Sequence, residues 1–134
     1  MAKALFSPRQ LKFLDTPRIG RLATVRADGS PHVAPIWFRF EAGEFLILTE
    51  RGSQKHKNVE YEPRVLLCID DERPPYHTVL VRGRASVHDA PGRAWREELA
   101  IHYLGDEAGR RYIAENMHAN DVMLRIAPEQ VSGW

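Results

Sequence analysis

Most apolar residues of this chain fall either in alternation with polar ones or in short unbroken runs, the two patterns of strands. Only a few stretches carry the spacing of an amphipathic helix. The first opens near the N-terminus, where Ser7 is placed to cap a helix and Pro8 suits its first position. Gln10 completes a capping box, Phe6 and Leu11 have the spacing of a hydrophobic staple, and Pro17 ends the element. Residues 18–25 are rich in small and β-branched side chains, and Asp28-Gly29 predicts a hairpin turn into the strand HVAPIWFRF. Ala42-Gly43 marks the next turn. FLILT, at 45–49, is an unbroken apolar run, as expected of a strand covered on both faces. These three strands are expected in meander order.

Ser53 is placed to cap a short helix through Lys55 and Asn58 to Tyr61, with Pro63 forcing the exit. RVLLCID follows as a fourth strand. Residues 77–88 form a long fifth strand, in which Gly83 marks a bulge or barrel corner. Asp89 is expected to cap a helix carrying Trp95, Leu99 and Tyr103, Gly105 breaks it, and a second helix covers 108–117. The last strand alternates Val122, Leu124 and Ile126 against Met123 and Arg125. Six strands joined mostly by hairpins favour a closed barrel, because closure removes edges. With no repeat or linker, residues 1–134 read as one domain.

Composition narrows the function more by exclusion than by signal. Nineteen basic residues against 18 acidic ones give no field that would gather nucleic acid or an anionic membrane. The acidic Glu41, Glu44 and Glu50 dilute the one aromatic and basic stripe, Trp37-Phe38-Arg39. No run approaches the roughly 20 apolar residues of a membrane span and no signal peptide is visible, so a cytoplasmic protein is expected. Cys68 is the single cysteine and sits in an apolar run, which suits a core thiol. The six histidines are scattered, with no metal-ligand spacing.

Two segments carry candidate chemistry. TERGSQKHKN, at 49–58, places a strand end, a Gly-Ser turn and a basic helix start in succession. The first amides of a helix lack intrahelical acceptors and favour an anion, with Ser53 adding a hydroxyl and Lys55 an ammonium. The same residues also suit an ordinary cap with a solvated basic face. In PHVAPIWF, Pro35 interrupts the ladder, which marks an edge or bulge whose backbone is free to meet a planar heterocycle. Trp37 suits either an aromatic ligand or a core or interface contact.

Taken in order, LATVRADGSPHVAPIWF, LILTERGSQKHKNVEYEPRVLLCID, VLVRGRASV and RIAPEQVSGW resemble the pyridoxamine-phosphate-oxidase-like split-barrel superfamily over nearly the whole chain. Within it the chain is most similar to the small deazaflavin-dependent reductases that use coenzyme F-420, and less so to FMN-binding relatives. The resemblance implies a mainly β fold: a six-stranded antiparallel split β-barrel with peripheral helices. It also implies a homodimer with two cofactor sites in the grooves between protomers. The phosphate-binding loop falls on Ser53, Gln54 and Lys55, with Arg51 and Lys57 close by. The ring-contacting strands fall on Pro35, Ile36, Trp37, Leu48 and Thr49, and the contact from the partner protomer falls near Tyr76, His77 and Thr78. The chain departs from pyridoxamine-phosphate oxidases proper at Gln54, where they carry an arginine, and at Val33 and Phe38, where they carry an arginine and a lysine. Their C-terminal substrate-binding segment has no counterpart, so that oxidation is not expected here.

The resemblance implies an oxidoreductase that transfers a hydride between bound coenzyme F-420 or FMN and an unsaturated small organic substrate. No catalytic acid, base or metal ligand is named. Deazaflavin is favoured because its acidic tail suits Arg51, Lys55, His56 and Lys57, with Lys3, Arg9 and Lys12 on the first helix. The alternative is a non-catalytic FMN- or haem-binding carrier or sensor, with His32 or His77 as the haem ligand.

Overall fold

The computed structural model describes residues 5–116 and 120–134, so Lys3 and Met117 lie outside the described residues. Helix α1 (Pro8–Leu14) is followed by strands β1 (Gly20–Val25), β2 (Pro31–Ile36), β3 (Arg39–Glu41) and β4 (Glu44–Glu50). Helix α2 (Gln54–Tyr61) leads to β5 (Arg64–Asp70) and β6 (Thr78–Asp89). Helices α3 (Arg93–Leu104) and α4 (Asp106–Asn116) then precede β7 (Asp121–Gly133). The strands form one antiparallel sheet in the order β2-β1-β5-β6-β7-β4-β3. It curls into a half-barrel around Leu22, Phe45, Ile47, Leu67, Ile69, Val81, Leu124 and Ile126, all fully buried.

Among the described residues there are seven strands rather than the six expected, because HVAPIWFRF does not run straight through. β2 and β3 are consecutive in the chain, separated only by Trp37 and Phe38, yet they occupy opposite ends of the sheet. Meander order therefore stops at β2. A two-residue link between the outermost strands forces the sheet to curl until its ends meet, and the absence of a β2–β3 ladder leaves the barrel split there. Pro35 lies on an edge strand, as its missing N–H requires.

The corner leaves the polar backbone of Phe38 in a residue only 2% exposed. Tyr103 of α3 satisfies it. Its hydroxyl accepts the Phe38 N–H at 3.0 Å and donates to the Arg18 carbonyl at 2.7 Å, with the Phe38 carbonyl a second acceptor at 3.2 Å. Burial pushes the Tyr103 phenol above its ordinary pKa, so it remains a donor.

Local signals elsewhere hold with two adjustments. Ser7 and Gln10 form the capping box of α1, and Phe6 is buried against Phe40, ring centroids 5.1 Å apart. Asp89 is the last residue of β6 and does not cap α3. Gly92 stands at that cap with no side-chain bond, because the chain needs Ala90 and Pro91 to leave the sheet first. β7 runs on to Gly133, since the long β6 offers it partners as far as Val79. The register slips between Arg82 and Gly83, where a Cβ on Gly83 would stand 2.5 Å from the Ala127 carbonyl oxygen, so the bulge requires glycine. No helix among the described residues is long and apolar enough to cross a membrane.

Tyr103→Phe removes the hydroxyl while preserving the ring packing. It leaves the Phe38 N–H without its partner and is expected to lower unfolding stability by about 2 kcal/mol, with an unchanged urea m-value.

Candidate functional site

The turn from β4 into α2 is assembled by short-range bonds. Ser53 caps the helix, its Oγ accepting the His56 N–H at 3.3 Å, and Thr49 Oγ1 lies 2.8 Å from the same Oγ. The Ser53 N–H is taken by the Glu50 carbonyl at 3.0 Å and the Arg51 N–H by that of Asn120 at 2.8 Å. Gly52 turns the chain at φ +84°. The Gln54 and Lys55 amides, first in the helix, have no acceptor among the described residues. An anion placed there meets two outward amides, a hydroxyl and an ammonium.

That turn opens into a cavity of about 320 Å³. Pro35, Ile36 and Trp37 of the corner, Leu48, Thr49 and Glu50 of β4, and Lys55 form one side. Arg96 and Leu99 of α3, Tyr112, Ile113 and Asn116 of α4, and Asp121 of β7 form the other. Six of the residues expected to hold a cofactor are thus brought together, although they come from three separate elements. Lys55 is half-buried, and burial pushes its ammonium below the usual lysine pKa. Among the described residues no carboxylate lies within ion-pair distance of it.

Trp37 meets protein before any ligand. It stacks on Tyr103 with planes 3° apart and centroids at 4.7 Å, and Tyr112 packs at 5.4 Å. The aromatic wall is therefore shared by the corner and both inserted helices. Arg96 is 5% exposed and is neutralised by Asp121 at 2.6 Å, while its Nε donates to the Pro91 carbonyl at 3.1 Å. Arg96, Tyr112, Asn116 and Asp121 had no prominence in the sequence reading. The available signal was an arginine beside Trp95 and Leu99 on the apolar stripe of an amphipathic helix, a place that calls for a buried partner.

The remaining expected residues lie elsewhere within the single chain. Arg51, Gln54 and Lys57 are exposed beside the turn. Gln54 Nε2 donates to Asn58 Oδ1 at 2.7 Å, and buried Asn58 donates to Thr24 Oγ1 at 2.9 Å, so Gln54 braces the helix. Tyr76 is exposed, Thr78 is buried at the start of β6, and His77 receives a hydrogen bond from Arg9 at 2.8 Å. His77, Thr78, Arg9 and Trp134 line a separate hollow of about 150 Å³. Arg9 thus sits with His77 and not with the basic start of α2. A larger hollow, about 620 Å³, lies over Ala23, Val65, Leu66 and Gly83 and contains none of the expected site residues. Its Arg64 is already paired with Glu62. The cavity beside the turn is therefore the candidate site. Among the described residues no group of three or more metal-ligating side chains converges.

Comparison with known proteins places these residues in context. A family model described as "Pyridoxamine 5'-phosphate oxidase" matches residues 6–134. The chain is 29% identical over 137 residues to a 5a,11a-dehydrotetracycline/5a,11a-dehydrooxytetracycline reductase of Streptomyces rimosus, covering 96% of this chain and 82% of that protein. It is 28% identical over 126 residues to an F420H(2)-dependent biliverdin reductase of Mycobacterium tuberculosis, covering 92% and 84%. A solved structure titled "F420 Reductase" superposes with a TM-score of 0.74 at 27% identity, covering 90% of this chain and 94% of that one.

The buried ion pair in the cavity wall yields a stability prediction. Arg96→Ala leaves the Asp121 carboxylate without its counter-charge and is expected to cost about 3 kcal/mol in chemical denaturation. The double variant R96M/D121L, which removes both charges, is expected to lose much less.

Proposed function

The chain belongs to the pyridoxamine 5'-phosphate oxidase family, and from that premise we propose that it is an oxidoreductase working with a flavin-type cofactor. It transfers a hydride between that cofactor and an unsaturated small organic substrate, and coenzyme F-420 is favoured over FMN. The observation that carries this reading is a half-buried Lys55 with no carboxylate counter-charge among the described residues, at the mouth of a cavity walled by Pro35, Ile36, Trp37 and Leu48. The reductase names of both similar proteins, one of which names F420, favour the same class. The family description does not extend to pyridoxamine-phosphate oxidation, because Gln54, Val33 and Phe38 stand where that chemistry uses cations.

The residues present suit such a group. The Gln54 and Lys55 amides, Ser53 Oγ and the Lys55 ammonium hold a phosphoryl group, and the proline-broken edge with Leu48 and Thr49 faces the ring. When bound, the cofactor supplies the redox chemistry, and the protein's part is to orient it and exclude water. α3 and α4 do the second through Leu99, Tyr112 and Ile113. Exposed Arg51 and Lys57 suit an acidic tail. The working unit we propose is a cytoplasmic homodimer in which Tyr76, His77 and Thr78 of a second copy close the groove. Exposed Val33, Leu66 and Tyr76 give such an interface apolar surface. The alternative, an FMN- or haem-binding carrier, draws on one observation: His32 Nδ1 is buried with no hydrogen-bond partner among the described residues.

Titration of the purified protein with coenzyme F-420 and with FMN tests the assignment. F-420 is expected to bind more tightly, and S53A and K55A each to weaken it by roughly tenfold or more. Tighter FMN binding reverses the cofactor preference, and a Soret band in the purified protein favours the carrier. The Lys55 ammonium sits below its usual pKa, and a bound anion favours its charged form. Affinity is therefore full below that lowered pKa and falls as pH rises through it, a limb that K55M should abolish. Light scattering is expected to return twice the chain mass.

A further inference from the structure

The caps of α1 and α2 differ in one chemically important respect. At α1 the Ser7 Oγ accepts the Gln10 N–H at 3.1 Å, and the Gln10 side chain accepts the Ser7 N–H at 2.9 Å. At α2 the Ser53 Oγ accepts the His56 N–H, and an imidazole makes the return bond one residue earlier: the Gly52 N–H donates to His56 Nδ1 at 2.8 Å. His56 is 6% exposed. An accepting Nδ1 carries no proton, so the neutral ring keeps its proton on Nε2. Nε2 lies 3.3 Å from Glu60 Oε1 but makes no aligned hydrogen bond among the described residues.

We propose that His56 is the positioning residue of this turn, and that its protonation loosens the turn and weakens the hold on a phosphoryl-bearing cofactor in acid. The inference rests on the reading above that the phosphoryl group sits at Ser53, Gln54 and Lys55. A proton added to Nδ1 sets two N–H groups head to head across 2.8 Å, so either Gly52 or the ring must move. Gly52 directly precedes the capping serine, and its displacement shifts Ser53 Oγ and the first amides together. The charged groups on the same helix are Lys55, Lys57 and Glu60, of which Glu60 approaches Nε2. Of the strands packed on α2, β4 carries Glu44 and Glu50 and β6 carries Arg82, Arg84, His88 and Asp89, and none of these carboxylates comes within ion-pair distance of the ring. Arg21 of β1 and Arg84 of β6 are paired with Asp70 and Glu129.

The test is the affinity for coenzyme F-420 of wild type, S53A, H56A and H56N between about pH 8 and about pH 5. In H56N the amide oxygen can accept the Gly52 N–H without titrating. Wild type is expected to lose about tenfold more affinity than H56N over that range, and H56A to bind weakly throughout, with H56N restoring part of the loss. Thermal melts at both ends of the range verify that each variant is folded. Equal slopes for wild type and H56N overturn the inference, and a weakened S53A beside them leaves the reading of the turn standing. Should S53A bind like wild type, that reading fails first.

Discussion

The sheet's two outermost strands are joined by two residues, and the polar backbone at that joint is met by the single hydroxyl of Tyr103. Everything that positions the cavity follows from this. Without that hydroxyl the Phe38 N–H would be buried and unpaired at the joint, a cost carried by the folded state. The same residue stacks on Trp37, so the closure that shapes the half-barrel also fixes the cavity's aromatic wall. Helix α3 is thus as much a part of the barrel as any strand, although it lies outside the ladder.

Charge is distributed unevenly across the cavity. Arg96 is spent inside the protein on Asp121, in a geometry close enough to offset much of the cost of burying both groups. Lys55 has no such partner among the described residues, and its lowered pKa records the loss of water without a compensating anion. The cavity therefore combines aromatic and apolar walls with one internally neutralised ion pair, and Lys55 and Glu50 are its remaining charged side chains.

The turn at the mouth is organised by reciprocal side-chain bonds, and these make it sensitive to chemistry one shell away from any ligand. Ser53 is shared among Thr49, His56 and the helix amides, and Gly52 is held by a ring that can take a proton.

Local elements were legible in the sequence because their causes are local. Ser7 with Gln10, Asp28-Gly29, Ala42-Gly43 and Ser53 each act within a few residues, and each is found where pattern and turn chemistry place it. The resemblance likewise marked Pro35 to Trp37, Leu48, Thr49 and Lys55, which do share one cavity. The Tyr103 joint and the Arg96–Asp121 pair depend on residues between 25 and 85 positions apart. No periodicity encodes such contacts. Whether a tyrosine on an amphipathic stripe faces oil or a stranded carbonyl, and whether a helical arginine meets water or a carboxylate, is settled only when the folded chain removes the water.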